Sequence, residues 1–298
     1  MNSIKTATFS LAGFDPETGE LGIAVQSKFL AAGAIVPHIK FGVGAVATQA
    51  LANPAYGPRG LELLERGLSP QETVEQLIQE DEASDQRQVG IIDADGRSAT
   101  FTGKNCLEWA GGTAGENFAA QGNILVNRET VTALAETFQN EQGRLADRLL
   151  AALEAADRAG GDRRGKQSAA LLVYKEKGGY GGLTDKFIDL RVDDHPEPII
   201  RLAELLELFD LYFSERDVEM LELKGELLEE VQRLLQEMGY YQGDISGEYS
   251  SEFTESLLNF YHQENFEERV PDGQKIPGDI LNYLRKRARD QTEQAKKG

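Results

Sequence analysis

Residues 6–26, TATFSLAGFDPETGELGIAVQ, decide the fold. Thr6–Gly13 alternates in side-chain character with the two-residue period of a strand. Asp15-Pro16-Glu17-Thr18-Gly19 is turn chemistry, in which proline presets φ and glycine accepts positive φ. Glu20–Gln26 returns as the partner strand. The chain therefore opens on an antiparallel hairpin rather than on a strand–helix–strand crossover.

Working outward, Ala34–Pro37 and Gly42–Thr48 are two more short apolar runs that predict strands. Pro58–Arg66, with Leu61 and Leu64 on one face, predicts a helix that Gly67 stops. Ser69 and Glu72 form a capping box for a second helix running to about Gln79. Arg87–Asp93 and Arg97–Gly103 flank an Asp95-Gly96 turn and predict a second hairpin. Trp109–Gly112 and Asn117–Gly122 predict two further strands. Arg128–Asn140 and Leu145–Arg158 predict paired helices joined at Gly143. Gln167–Tyr174 and Lys186–Val192 return to strand, and Ile199–Phe213 closes with a leucine-striped helix. Four strands, two helices, four strands, two helices, two strands and a helix lack regular βαβ alternation. The class is α+β, with stacked antiparallel sheets covered by helices.

Composition shifts near residue 213, from Gly, Ala and Val to Glu, Leu, Gln and Tyr at helical spacing. A boundary is expected within Ser214–Asp217, dividing a first domain, 1–213, from a second, 217–290, and a polar tail, 291–298. The second domain is predicted as three helices: Val218–Met238, Glu252–Gln263 and Pro277–Arg289.

Acidic residues outnumber basic ones by 50 to 31, for a net charge of −19. A field of that sign repels phosphate and disfavours nucleic-acid and anionic-membrane partners. No run approaches the roughly 18 apolar residues of a membrane span. The start of the chain lacks a signal-peptide pattern, so a cytoplasmic location is expected, with cell-wall association left open. One cysteine and three histidines give no basis for a His/Cys metal site, and no cofactor is expected.

Several clusters carry chemistry. Gly160-Gly161-Asp162-Arg163-Arg164-Gly165-Lys166-Gln167 approaches a phosphate loop but puts Gln167 where Ser or Thr should hold magnesium. It also follows a helix instead of opening one, so a helix-ending turn is the expected role. Arg164 there could bind a carboxylate. Asp193-Asp194-His195-Pro196 groups two carboxylates and an imidazole, with Asp194 suited to cap the next helix. Thr48, Gln49, Asn53, Gln121 and Asn123 sit at strand ends, where uncharged groups can donate to an oxyanion without titrating. Cys106 reads as a structural thiol. The hydroxyls of Thr8, Ser10 and Ser27 need a base to become nucleophiles, and Lys28, Lys40 or a free α-amine could serve.

These residues are similar to a known family. The runs TFSLAGFDPETGELGIAVQSKFLAAGAIVP, GVGAVATQALANPAYGPRGLELL, QGNIL, GGDRRGKQSAALLV and DLRVDDHP together resemble the bacterial family DUF1028, over about Ile4–Phe213. The resemblance implies a four-layer αββα fold like that of the N-terminal-nucleophile (Ntn) hydrolases, which cleave amide bonds. It also implies a small amide or peptide-like substrate and assembly into a homo-oligomer. In such enzymes the first residue of the mature chain is the nucleophile and its own amine the base. By that likeness Thr8 is the reacting position, with Ser10 behind it. Ser27 and Lys28 give polar support, and backbone amides near Thr48 and Gln49 face the oxyanion. Thr8 is internal here, so the scheme requires cleavage before it. A second arrangement in the same cleft uses Lys28, Gln121, Asn123, Asp162, Arg164 and Asp193. The alternative function is a noncatalytic small-molecule or cell-wall binding protein that keeps the cleft. Residues 217–286, with Gly239-Tyr240-Tyr241-Gln242-Gly243-Asp244 and Phe260-Tyr261-His262-Gln263, resemble three-helix peptidoglycan-binding modules. That implies peptidoglycan fragments as partners.

Overall fold

The computed structural model describes residues 8–213 and 218–295. The Thr6 start of the first strand, the Ser214–Asp217 boundary and residues 296–298 lie outside them. Contacts divide the chain into two compact units that meet at Leu205 and Leu206.

In the first unit, β1 (Thr8–Phe14) and β2 (Leu21–Ser27) form the opening hairpin in the register Thr8↔Ser27 to Phe14↔Leu21. Asp15 closes its turn by accepting the Glu17 N–H at 2.9 Å, and Gly19 takes φ 72°. There follow β3 (Pro37–Lys40), β4 (Gly44–Ala50), α1 (Tyr56–Glu65), α2 (Pro70–Gln79), β5 (Arg87–Asp93) and β6 (Ser98–Thr102). Then come β7 (Gly111–Gly115), β8 (Phe118–Asn123), α3 (Glu129–Asn140), α4 (Leu145–Arg158), β9 (Ser168–Tyr174), β10 (Lys186–Val192) and α5 (Pro198–Phe213). The order of strands and helices is the one read from the sequence. The run Ala34–Pro37 differs: a 3-10 turn holds Ala32–Ala34, the Val36 N–H donates back to the Ala32 carbonyl, and the strand begins only at Pro37.

The strands make two antiparallel sheets, β10-β9-β2-β1-β8-β7 and β3-β4-β5-β6. Helices α3 and α4 cover one face of the larger sheet. Its other face packs on the smaller sheet, whose far face carries α1 and α2. Strand alternation accounts for this. On β1, Phe9, Leu11 and Gly13 turn one way and Thr8, Ser10, Ala12 and Phe14 the other, and all seven are buried. Gly22 on β2 lets α4 lie close, since a Cβ there would fall 2.5 Å from Leu149 Cδ1. The apolar stripe Leu145, Leu149, Ala152, Leu153 and Ala156 is wholly buried within the chain. Each leucine buried there is worth roughly 1.5–3 kcal/mol. Ser69 and Glu72 form the expected reciprocal cap at the start of α2.

The second unit holds the three expected helices, and only the start of the first is corrected. The segment taken as a helix from Val218 instead gives β11 (Met220–Glu222), a break at Gly225 with φ 55°, and α6 (Glu226–Glu237). β11 pairs antiparallel with β12 (Lys275–Pro277), and α7 (Ser251–Gln263) and α8 (Gly278–Ala295) complete the unit. Helix α8 runs past Arg289 to Ala295, into the stretch expected as a polar tail. Leu228, Val231, Leu235, Phe253, Phe260, Ile280 and Leu284 form the core. Arg269 clips the unit together: its guanidinium donates to the Asp210 and Leu211 carbonyls and, at 2.7 Å, to Asp279. Tyr212 stacks on Phe266 with ring centroids 5.0 Å apart. Among the described residues, no helix is long and apolar enough to cross a membrane.

Candidate functional site

The gap between the two sheets is apolar at one end and polar at the other. Ala12, Phe14, Leu21, Ile23, Ala45, Ala47 and Ile92 fill the apolar end. At the polar end, register brings strand termini together: Thr8 lies opposite both Ser27 and Asn123, Ser10 opposite Gln121, and Gln49 opposite Gln88. Thr8 and Ser27 share a hydrogen bond at 3.0 Å. The Ser10 hydroxyl donates to Gln49 Oε1 at 2.6 Å and accepts from Gln121 Nε2 at 2.7 Å. Gln49 Nε2 donates to the Thr8 carbonyl at 3.2 Å and to Gln88 Oε1 at 2.9 Å. Gln88 Oε1 also accepts from Asn123 Nδ2 at 2.9 Å. Gln88 Nε2 donates to Thr102 Oγ1 at 2.9 Å and to the Gly122 carbonyl at 2.7 Å.

The side chains of this layer are hydroxyls and carboxamides, all buried but the half-buried Thr102. They can donate to a developing oxyanion without titrating, and their strength does not change with pH. Gly90 is what allows the sheets this approach, because a Cβ at that position would fall 1.9 Å from Gln121 Oε1.

Six of the sequence-derived candidates meet here: Thr8, Ser10, Ser27, Gln49, Gln121 and Asn123. Ser10 is corrected as a reserve nucleophile, since both of its hydrogen bonds go to neutral amides and neither partner can take a proton. Thr48 is corrected as well. Being next to Gln49 on a strand, it turns to the opposite face, donates to the Asn53 carbonyl at 3.3 Å, and commits its own N–H to Val36. It cannot supply the oxyanion donor. Asn53 lies with it, donating to Asp81 Oδ2 at 3.2 Å and accepting the Ala55 N–H.

Lys28, Asp162 and Arg164 form a second group, one residue beyond Ser27. Asp162 Oδ2 accepts the Lys28 N–H at 2.8 Å, and Asp162 Oδ1 accepts the Arg164 N–H at 2.8 Å. The Arg164 guanidinium folds back onto the same carboxylate at 3.1 Å. The near phosphate loop is therefore a turn organised on its own aspartate. Its Lys166 is engaged by Asp157 at 2.8 Å and Glu197 at 2.7 Å. The exposed Lys28 ammonium donates to the Lys166 carbonyl at 3.2 Å and takes no part in the hydrogen bonds of the intersheet layer described above. Asp193 is exposed after β10, where its carbonyl accepts the Ala31 N–H. Asp194 does not cap α5: it accepts from Gln167, and His195 Nδ1 accepts the Glu197 N–H. The Cys106 thiol donates to the Arg87 carbonyl, and burial pushes its pKa up, away from nucleophilic use. Among the described residues, no group of three or more His, Cys, Asp or Glu side chains is placed to hold a metal ion.

Gln88 and Thr102 join the layer without having been expected there from the sequence. Gln88 sits in Arg87–Asp93 at the same alternation parity as Gly90 and Ile92. A carboxamide on that buried face was the available signal.

Asp81 anchors the loop that carries Asn53. The Arg87 guanidinium at 2.8 Å, backed by the Ala83 N–H and by Asn53, holds its carboxyl well below the usual carboxylate range against the opposing effect of burial. A depressed folded-state pKa gives stability that is full above the unfolded value of about 3.9 and is lost as pH falls through the folded value. Asp81→Asn is expected to cost about 1–3 kcal/mol at pH 7. Its deficit against the wild type should shrink as the pH is lowered from about 4 toward 2. Urea midpoints of both proteins across that range check it; a deficit independent of pH would assign Asp81 no electrostatic role.

Residues 8–202 match the family model described as "Family of unknown function (DUF1028)". The chain belongs to the DUF1028 family. A crystal structure of a DUF1028 protein from Silicibacter pomeroyi superposes with a TM-score of 0.63 at 31% identity, covering 68% of this chain and 89% of that one. Residues 212–284 match a second model, described as "Putative peptidoglycan binding domain". No curated protein matches the chain. The polar layer between the sheets lies within the DUF1028 match, on β1, β2, β4, β5, β6 and β8.

Proposed function

We propose that the DUF1028 unit is an Ntn-hydrolase-like amidohydrolase acting on a small amide or peptide-like substrate, and that the second unit targets it to peptidoglycan-like ligands. The helix–sheet–sheet–helix stacking supports the four-layer αββα reading. The position of Thr8 carries the proposal. Its hydroxyl lies at the polar end of the intersheet gap, and the partner at 3.0 Å is the neutral hydroxyl of Ser27. A second hydroxyl cannot take its proton at neutral pH. Cleavage before Thr8 supplies the missing base as the residue's own α-amine. In the cut chain the amine accepts the Thr8 proton as Oγ1 attacks the amide carbonyl, with neutral donors of the layer facing the oxyanion; the C–N bond then breaks and the ammonium returns that proton to the leaving amine. Water, giving a proton to the same α-amine, attacks the Thr8 ester, and the carboxylic acid leaves as the ammonium returns the proton to Oγ1.

Intact-mass measurement of the purified chain, alongside assays on N-acyl amino acids and short amides, tests the reading. The expected result is a species beginning at Thr8 that accounts for the hydrolysis. An uncut chain with no hydrolysis would overturn it.

One observation favours a second reading. The layer is buried and most of its groups satisfy one another, as in a binding scaffold that has no reacting group. In that case ligand binding without turnover is expected from the uncut chain.

A further inference from the structure

Strand β10 ends the larger sheet: it pairs with β9 on one side, and its other side carries no strand among the described residues. Alternate residues of a strand bond to opposite sides, so an end strand leaves about half of its N–H and C=O groups open to a further strand. The pairing with β9 is irregular at Phe187 and regular over Ile188–Val192. That run reads Ile-Asp-Leu-Arg-Val, apolar at its ends and centre, with opposite charges placed symmetrically about Leu190. Asp189 and Arg191 share one face, where the guanidinium meets the carboxylate at 2.6 Å, and Lys186 reaches the same carboxylate at 2.9 Å. On the other face Ile188 and Val192 are buried, and Leu190 between them is half-buried.

Charges of one sign blunt an edge against its own copy. This edge carries both signs, in an order that an antiparallel copy complements. Pairing about a two-fold axis at Leu190 sets Asp189 opposite Arg191 twice, Ile188 opposite Val192 twice, and Leu190 opposite itself. Moving the axis to either neighbour sets Asp189 against Asp189 or Arg191 against Arg191, and like charges directly opposite are destabilising. One register is therefore favoured. The same arrangement carries the β9–β10 turn, where Tyr180 and Leu183 are 85% and 88% exposed, toward the far end of the other copy's β10. From that end α5 leaves with Ile200 59% exposed. We propose that Ile188–Val192 is a self-association edge, through which two copies of this chain join their larger sheets antiparallel with Leu190 on the two-fold axis. The pairing uses both edges and closes at a dimer.

Sedimentation velocity of the full chain over a range of concentrations tests the edge, with thermal melts to check folding. The wild type is expected to dimerise. Asp189→Arg and Arg191→Asp each place like charges opposite one another at both pairs. Each is expected to weaken the dimer about 10- to 100-fold while still unfolding cooperatively. Mixed in equal amounts, the two variants complement each other again, and the double variant Asp189→Arg/Arg191→Asp complements itself. Both are expected to dimerise as the wild type does. The double variant also decides the case in which a single variant fails to fold, since it changes the same two positions. A monomeric wild type, a dimer indifferent to either single change, or a loss that neither the mixture nor the double variant recovers would overturn the proposal.

Discussion

Thr8→Ala is expected to abolish hydrolysis by the processed chain while leaving it folded. Loss of the attacking oxygen in nucleophilic hydrolases costs on the order of a million-fold in kcat, which places the variant below detection. The structural cost is small by comparison. Thr8 is buried, but its side chain contributes one neutral hydrogen bond, to Ser27, worth about 1 kcal/mol. The two effects therefore separate in a single pair of measurements, a denaturation curve and an initial rate. Thr8→Ser restores the oxygen and is expected to retain turnover. Activity in Thr8→Ala equal to wild type would remove Thr8 from the chemistry. A Ser10 mechanism would not replace it, because Ser10 lies between Gln49 and Gln121 with no proton acceptor at hand.

Gln88→Leu is expected to be the most destabilising of the single changes considered. The side chains of Gln49 and Asn123 both donate to Gln88 Oε1, at 2.9 Å each, and its own amide reaches Thr102 and the carbonyls of Gly111 and Gly122. Leucine fills the volume and satisfies none of them. Asn123 Nδ2 then loses this acceptor, and Gln49 keeps only its longer contacts, to the carbonyls of Thr8 at 3.2 Å and Gln121 at 3.4 Å. At about 1–3 kcal/mol for each buried group left unsatisfied, the expected loss is about 3–5 kcal/mol. That is a large part of the 5–15 kcal/mol typical of a domain. Equilibrium urea unfolding measures it. Gln88→Glu makes a useful companion, because it preserves the acceptor but buries a charge. A loss below about 1 kcal/mol in the leucine variant would mean that the layer is not a mutually dependent network.

The order of elements was legible because its signals are local. The turns at Asp15–Gly19 and Asp95-Gly96 and the cap at Ser69 each announce themselves within a few residues. The six residues that meet between the sheets were legible for a similar reason, being polar groups at the ends of apolar strands. What failed was the choice of face. Thr48 and Gln49 are equally polar neighbours, yet alternation sends only one of them between the sheets, and nothing local says which. Gln88 was missed because its importance lies in four other strands. The pair β11 and β12 escaped because two three-residue strands, joined across more than fifty residues, carry no period of their own. Lys28 looked like a base by proximity in sequence to Ser27, and the turn around Asp162 drew its backbone and its ammonium elsewhere.

The Arg269 clip bears on where the chain can be dissected. A fragment beginning at Asp217, the start expected from the sequence, would leave that guanidinium without the carbonyls of Asp210 and Leu211, and the Phe266 ring without Tyr212. The last turns of α5 are thus structural parts of the second unit, although they read as the end of the first. A self-sufficient C-terminal piece has to start at Leu206, eleven residues ahead of Asp217.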